Sequence, residues 1–272
     1  MSPLHIASLG SSFAAGPNIP PRINRPAARS GANYAHLLAS ALNARLTDLS
    51  VSGATLKNVL DEPQTSVLTR TSFPPQVEGL SDDVDIVTIT AGGNDLGYVG
   101  GIMGDSLRAT WIGRVIQWLF FPAGKDEGNK LEAEDIKDRF ISIIDDIKRR
   151  SPKARIYLVE YLTLFGENTR PGIDVLLDEE QIKRHQEVAR TLQSAYRVAA
   201  DARRDICRVV RVGERSWEHG LGSEDPWVEV FGWGVLFRRK APYHPNANGM
   251  RAVAEIILEE LKGDGALNTS AE

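Results

Sequence analysis

The sequence predicts an α/β protein in which a parallel sheet of five strands is covered by helices on both faces. Three observations predict it. Short β-branched runs alternate with segments of helical period along nearly the whole chain. Several of those runs end in glycine- or serine-rich turns. The length of 272 residues, with 42% hydrophobic and 25% charged residues, suits one large α/β unit with one core.

The strands are expected at residues 4–10, 45–51, 85–90, 154–161 and 206–212, the helices at 33–43, 134–150, 178–204 and 246–262. The first strand is apolar from Leu4 to Leu9 and runs straight into Gly10-Ser11-Ser12. The first helix reads YAHLLASAL, with apolar residues at helical spacing, and the second strand follows it. DIVTIT supplies the third strand. A long charged helix then stops at Ser151-Pro152, because proline cannot continue it. Beyond the fourth strand and its helix, Gly213 closes the fifth strand and Gly263 follows the final helix. One unit is expected over residues 1–262, with insertions at about 97–130 and 217–240 and a small polar tail at 263–272 expected to fray.

Composition narrows the function. A net charge of -4, with acidic and basic residues interspersed, gives no electrostatic footprint of a nucleic-acid binder, so nucleic acid is not expected as a partner. The single cysteine, Cys207, lies among Ile206, Val209 and Val210 and reads as a small buried hydrophobe. No stretch approaches the roughly 20 apolar residues of a membrane span. Leu4 to Leu9 is too short for the core of a secretory leader, so the expected location is cytoplasmic. The sequence leaves the oligomeric state open.

In an open parallel sheet, ligands bind beyond the carboxyl ends of the strands, where loops converge. Ser11 and Ser12 follow the first strand, Ser52-Gly53 the second, and Gly92-Gly93-Asn94-Asp95 the third, all on one rim. Acyl transfer needs a nucleophile, a base to take its proton, and donors where the carbonyl oxygen becomes negative. Ser12 on a tight strand-to-helix turn fits the first requirement, although Ala14 stands where a G-x-S-x-G elbow has its second glycine. Gly53 offers an unobstructed backbone N–H, and Asn94 offers a side-chain amide. Of five histidines, His5, His36, His185 and His219 read as structural or solvated. His244 differs: it stands in APYHPNANGM, just ahead of a helix that Asn246 can cap.

These blocks, in this order, make the chain resemble the SGNH, or GDSL-like, hydrolase family: Gly10-Ser11-Ser12, Ser52-Gly53-Ala54, Gly92-Gly93-Asn94-Asp95 and His244-Pro245-Asn246. The resemblance implies a three-layer α/β/α flavodoxin-like fold and hydrolysis of esters or thioesters through an acyl-enzyme, without a cofactor. By position it makes Ser12 the nucleophile and His244 the base, with the Ser12 N–H, the Gly53 N–H and Asn94 as the oxyanion hole. Two positions depart from the family. Ser11 replaces the acid that usually precedes the nucleophile, and Ala241 stands where an acid usually precedes the histidine by three residues. A Ser12–His244 dyad oriented by the Ala241 carbonyl is the leading expectation. An acid from elsewhere, Asp225 first and Glu229 second, is the alternative. Asp95 is expected to cap a helix or tie down the Asn94 loop, and Ser11 to serve the turn.

No metal-ligand spacing and no phosphate loop is present: AGGNDLG lacks the following Gly-Lys-Ser/Thr. The first insertion carries TWIGRVIQWLFFPAG, apolar nearly all round. Trp111, Trp118 and Phe120 are candidates for an apolar cap over the acyl group. The alternatives are a buried helix or, more weakly, an interfacial contact with lipid. Two other functions share the fold: acyl transfer to an alcohol or amine, and ligand binding without catalysis.

Overall fold

The parallel sheet runs in the order β2-β1-β3-β4-β5, where β1 is His5–Gly10, β2 Arg45–Asp48, β3 Ile86–Thr90, β4 Arg155–Val159 and β5 Cys207–Val210. These elements come from a computed structural model that describes residues 3–66, 69–110, 133–232 and 240–267. Strands β1 and β3 are buried along their whole length, as central strands covered on both faces must be, which is why they read as near-continuous apolar runs. The edge strands carry the polar residues: β2 reads RLTD and β5 CRVV, with Arg45 and Arg208 exposed.

Helices α1 (Ser12–Ala15), α2 (Tyr34–Ala41), α3 (Leu56–Leu60) and α4 (Tyr98–Arg108) precede α5 (Ala133–Arg150), α6 (Glu179–Asp201), α7 (Val212–Arg215) and α8 (Ala247–Gly263). From β1 the chain crosses through α2 to β2 on one side, then returns to β3 and builds outward to β5 on the other. With right-handed crossovers, that reversal puts α2 on one face and α5 with α6 on the opposite face. Accordingly α2 packs against α8, and α5 against α6. The reversal falls between β1 and β3, whose carboxyl ends form the switch point at which such sheets bind ligands.

The helix starts have identifiable causes. The Asn33 side chain accepts the His36 N–H, Asp178 and Gln181 form a reciprocal capping box, and Asn246 accepts the Gly249 N–H. Each such cap contributes about 1 kcal/mol. Between sheet and helices lie fully buried side chains such as Ile6, Leu9, Phe140, Tyr157 and Tyr196. Burial of a leucine, isoleucine or phenylalanine contributes roughly 1.5–3 kcal/mol. Cys207 is buried at the start of β5, and burial pushes its thiol up to about 12.

Several boundaries differ from expectation. Residues 49–51, 160–161 and 211–212 leave the sheet, although Val51, Tyr161 and Val212 remain buried. Apolar sequence there marks rim loops folded back onto the core. Two short ribbons, Arg22–Asn24 with Arg29–Ser30 and Gln64–Thr65 with Ser72–Phe73, carry too few residues to show a period. The first insertion begins as α4, while Trp111, Trp118 and Phe120 lie outside the described residues. The start of the expected tail is packed: Ala266 is buried, and Asp264 accepts from the Tyr157 hydroxyl at 2.5 Å and, through its carbonyl, from Arg155 at 3.0 Å.

Candidate active site

At the end of β1, Gly10 adopts φ +139°, and a Cβ there would stand 2.2 Å from the Thr90 carbonyl oxygen of β3. Only glycine fits. Gln76 brackets the same residue, accepting its N–H at 2.7 Å and donating to its carbonyl at 3.0 Å, while the Ser11 N–H donates to Thr90 O at 2.9 Å. The strand end is thereby fixed, and Ser12 opens α1 almost wholly buried.

The second and third blocks are tied to the first by named bonds. The Val51 N–H donates to Gly10 O at 3.0 Å, and Gly53 turns the chain at φ +85° with its N–H unpartnered among the described residues. One hydrogen of the Asn94 amide goes to Ala54 O at 2.8 Å, which fixes the side chain and leaves the other hydrogen for a ligand. Asp95 accepts the Leu56 N–H through both oxygens, at 3.1 and 3.0 Å, so it does join the Asn94 loop to the amino end of α3. Burial raises its carboxyl to about 6. Ser11 does more than serve a turn: its hydroxyl bonds Tyr161 Oη at 2.8 Å, and that oxygen also accepts the Gly93 N–H at 3.2 Å. Burial raises the Tyr161 phenol well above its ordinary range, so it remains a neutral donor. A tyrosine thus bridges the first and third blocks.

His244 reaches this cluster from the far end of the chain, its Nε2 standing 2.9 Å from Ser12 Oγ. The Phe13 ring lies between Tyr161 and His244, with centroids 4.4 and 5.6 Å away. The expected orienting group is corrected. The Ala241 carbonyl accepts the backbone N–H of His244 at 3.3 Å, whereas the ring's Nδ1 faces the Pro242 carbonyl at 2.8 Å. The alternative acids are also elsewhere. Asp225 accepts from Trp227 Nε1 and Asn248 Nδ2, each at 3.2 Å, and Glu229 pairs with Lys240 at 2.7 Å. Both ring nitrogens of His244 are therefore occupied without a carboxylate.

A carbonyl can only accept, so Nδ1 carries the proton and Nε2 presents its lone pair to the serine hydroxyl. Desolvation lowers the pKa of His244; the Pro242 carbonyl acts in the opposite sense and does not outweigh it. The ring is thus neutral near pH 7 and able to take a proton. The other histidines bond within the fold: His5 to Asp83 and Thr47, His36 to Asn33, and His185 to Asp105, while His219 stacks on Trp227. Among the described residues no group of histidine, cysteine and acidic side chains could hold a metal ion.

An apolar cavity of about 380 Å³ opens at the carboxyl end of β4, lined by Tyr98, Tyr161, Phe165, Tyr196 and Trp217 among others. Ser12, Asn94 and His244 are not among the residues that line it. Of the residues singled out in the sequence, the structure brings Ser12 and His244 into contact and ties the Asn94 side chain to Ala54, next to Gly53. Sequence reasoning missed Pro242, Tyr161 and Gln76, which have no local signal because each acts through a partner set by the fold.

A 2-1-3-4-5 parallel sheet with a serine–histidine pair at its switch point defines a hydrolase of the flavodoxin-like α/β class. The sequence agrees. The chain belongs to the GDSL-like lipase/acylhydrolase family, whose model matches residues 8–252, and so to the carboxylic ester hydrolases. It is 28% identical to Lipase 2 of Streptomyces coelicolor, across 95% of this chain and 86% of that protein. Among solved structures, the extracellular lipase of Streptomyces rimosus superposes with a TM-score of 0.67 at 19% identity, covering 94% of this chain and 99% of that one. Phospholipase A1 of Streptomyces albidoflavus also superposes at 0.67, with 18% identity over 99% of this chain and all 100% of its own. These two likenesses show the same fold.

Proposed function

We propose that this protein cleaves carboxylic esters, and thioesters, of small or hydrophobic acyl groups through an acyl-enzyme on Ser12. The observation that carries the reading is the 2.9 Å approach of His244 Nε2 to Ser12 Oγ, with the other ring nitrogen held by a carbonyl.

The hydroxyl proton passes to Nε2 as Oγ attacks the acyl carbon. Negative charge then gathers on the former carbonyl oxygen, which the Ser12 N–H, the Gly53 N–H and the second Asn94 amide hydrogen would bind. Collapse breaks the bond to the alcohol or thiol, which leaves with the proton held by His244. Water attacks the acyl-enzyme, gives its proton to the same nitrogen, and releases the acid as the proton returns to Ser12. Pro242 takes the place of a triad acid without its charge. It fixes the tautomer, the part of that role whose loss costs about 10⁴ in kcat when an acid is replaced by an amide.

The substrate is a small-molecule ester, no cofactor takes part in the scheme, and no helix among the described residues is long and apolar enough to cross a membrane. The cytoplasmic expectation gains nothing from the relatives, one of which is described as an extracellular lipase. The test is a panel of acetyl, butyryl, octanoyl, aryl and thioester substrates assayed against wild type and Ser12→Ala. Hydrolysis that Ser12→Ala abolishes supports the reading; hydrolysis that survives the substitution rejects it.

A further inference from the structure

The Pro242 carbonyl can meet the ring of His244, two residues on, only if the chain turns at the residue between them. That residue is Tyr243, and it turns at φ +59°. The left-handed region is rarely adopted by a bulky aromatic residue, so the surroundings must hold it there.

The restraint comes from α4. Tyr243 is fully buried, and its Oη lies 2.6 Å from Ser106 Oγ. The Ser106 hydroxyl donates its single proton to the Ile102 carbonyl at 2.8 Å, so in their mutual bond Tyr243 is the donor and Ser106 the acceptor. On the backbone side, the Tyr243 N–H donates to Glu229 O at 2.7 Å, and the Glu229 N–H donates to His244 O at 2.9 Å. The Phe231 ring lies parallel to the tyrosine, with centroids 6.1 Å apart and planes at 7°. Ring, hydroxyl and backbone are therefore all fixed, although Tyr243 does not touch the reacting atoms.

Helix α4 is an informative place for that anchor. It begins at Tyr98, directly after the Gly92–Gly97 loop that carries Asn94, and the Tyr98 N–H donates to Gly93 O at 2.8 Å. Asp105, next to Ser106, binds the helix to α6 through His185 at 2.8 Å and Arg184 at 2.7 Å. One helix thus supports the oxyanion loop at its amino end and the histidine loop at its carboxyl end.

We infer that Tyr243 and Ser106 are positioning residues: their buried hydrogen bond holds the turn that aims the Pro242 carbonyl at His244 and sets the base in register with the oxyanion loop. The inference rests on the proposed reaction for its consequence, and on the geometry of the loop for its cause.

The test compares folded Tyr243→Phe, Ser106→Ala and Ser106→Thr with wild type by proton NMR and steady-state kinetics. In wild type the His244 Nδ1 proton should give a downfield, exchange-protected resonance. Tyr243→Phe and Ser106→Ala should broaden or shift it and lower kcat by about tenfold, the scale of one buried hydrogen bond, with KM little changed. Ser106→Thr keeps the hydroxyl and should restore both. If either the resonance or kcat is unmoved in Ser106→Ala, which deletes one oxygen and leaves the aromatic packing intact, the inference is overturned. Failure of the proposed function would be seen separately, as hydrolysis that persists in Ser12→Ala while the resonance still responds to Ser106.

Discussion

His244 Nε2 and Ser12 Oγ stand 2.9 Å apart although 232 positions separate them in the chain. The sheet brings them together: Ser12 leaves the central strand β1, while the histidine loop precedes α8, which packs on α2 beside that strand. With the Pro242 carbonyl on Nδ1, the ring has one tautomer available and one nitrogen for the serine proton.

The dyad predicts that no carboxylate supports the histidine. Asp225→Asn and Glu229→Gln should each retain kcat within a few-fold of wild type, because these side chains bond Trp227, Asn248 and Lys240 instead of His244. A drop of about 10⁴ in either variant, the size expected for a triad acid, would restore the triad.

On the proposed mechanism, Asn94→Ala should lower kcat by roughly 10² to 10³ with little change in KM, since the amide would act on charge that exists only in the transition state. Steady-state kinetics at matched folding, checked by circular dichroism, read this directly. An equal loss in binding and rate would assign Asn94 to ground-state recognition.

The pH dependence of kcat/KM reports the free enzyme's base. Burial disfavours the imidazolium of His244 and lowers its pKa below the ordinary 6.5. Activity should therefore rise as pH increases through a midpoint below 6.5 and then level off, as the neutral ring becomes fully populated. A midpoint above 6.5 would mean that a charged partner stabilises the imidazolium.

Asp95 gives a stability signature of opposite sense. Its carboxyl titrates at about 6 in the fold against an ordinary 3.8, so between those values the folded state binds the extra proton. Unfolding free energy should fall by roughly 2 kcal/mol from this group as pH rises from 3.8 to about 6. In Asp95→Asn, whose amide oxygen can still accept the Leu56 N–H, that slope should vanish from urea titrations across this range.

How much of this was legible follows from where each signal resides. Ser12, Asn94 and His244 stood out as candidates because each lies in a loop after a strand or just before a capped helix, and the structure brings Ser12 and His244 together. The strand ends were overextended because Val51, Tyr161 and Val212 are as apolar as strand residues while serving buried loops. The change from Ala241 to Pro242 was not readable, because it depends on a left-handed turn at an aromatic residue that sequence does not mark. The bond between Ser11 and Tyr161 was equally hidden, since Tyr161 lies 150 positions from Ser11. The apolar cap assigned to Trp111, Trp118 and Phe120 falls outside the described residues.

The most direct measurement is mass spectrometry of the protein after reaction with a fluorophosphonate, which marks only an activated serine. The account predicts a single added mass, mapped to Ser12, in wild type, and none in His244→Ala under the same conditions. Labelling of Ser12 that proceeds at the same rate without the imidazole, or a label found on another residue, would contradict it.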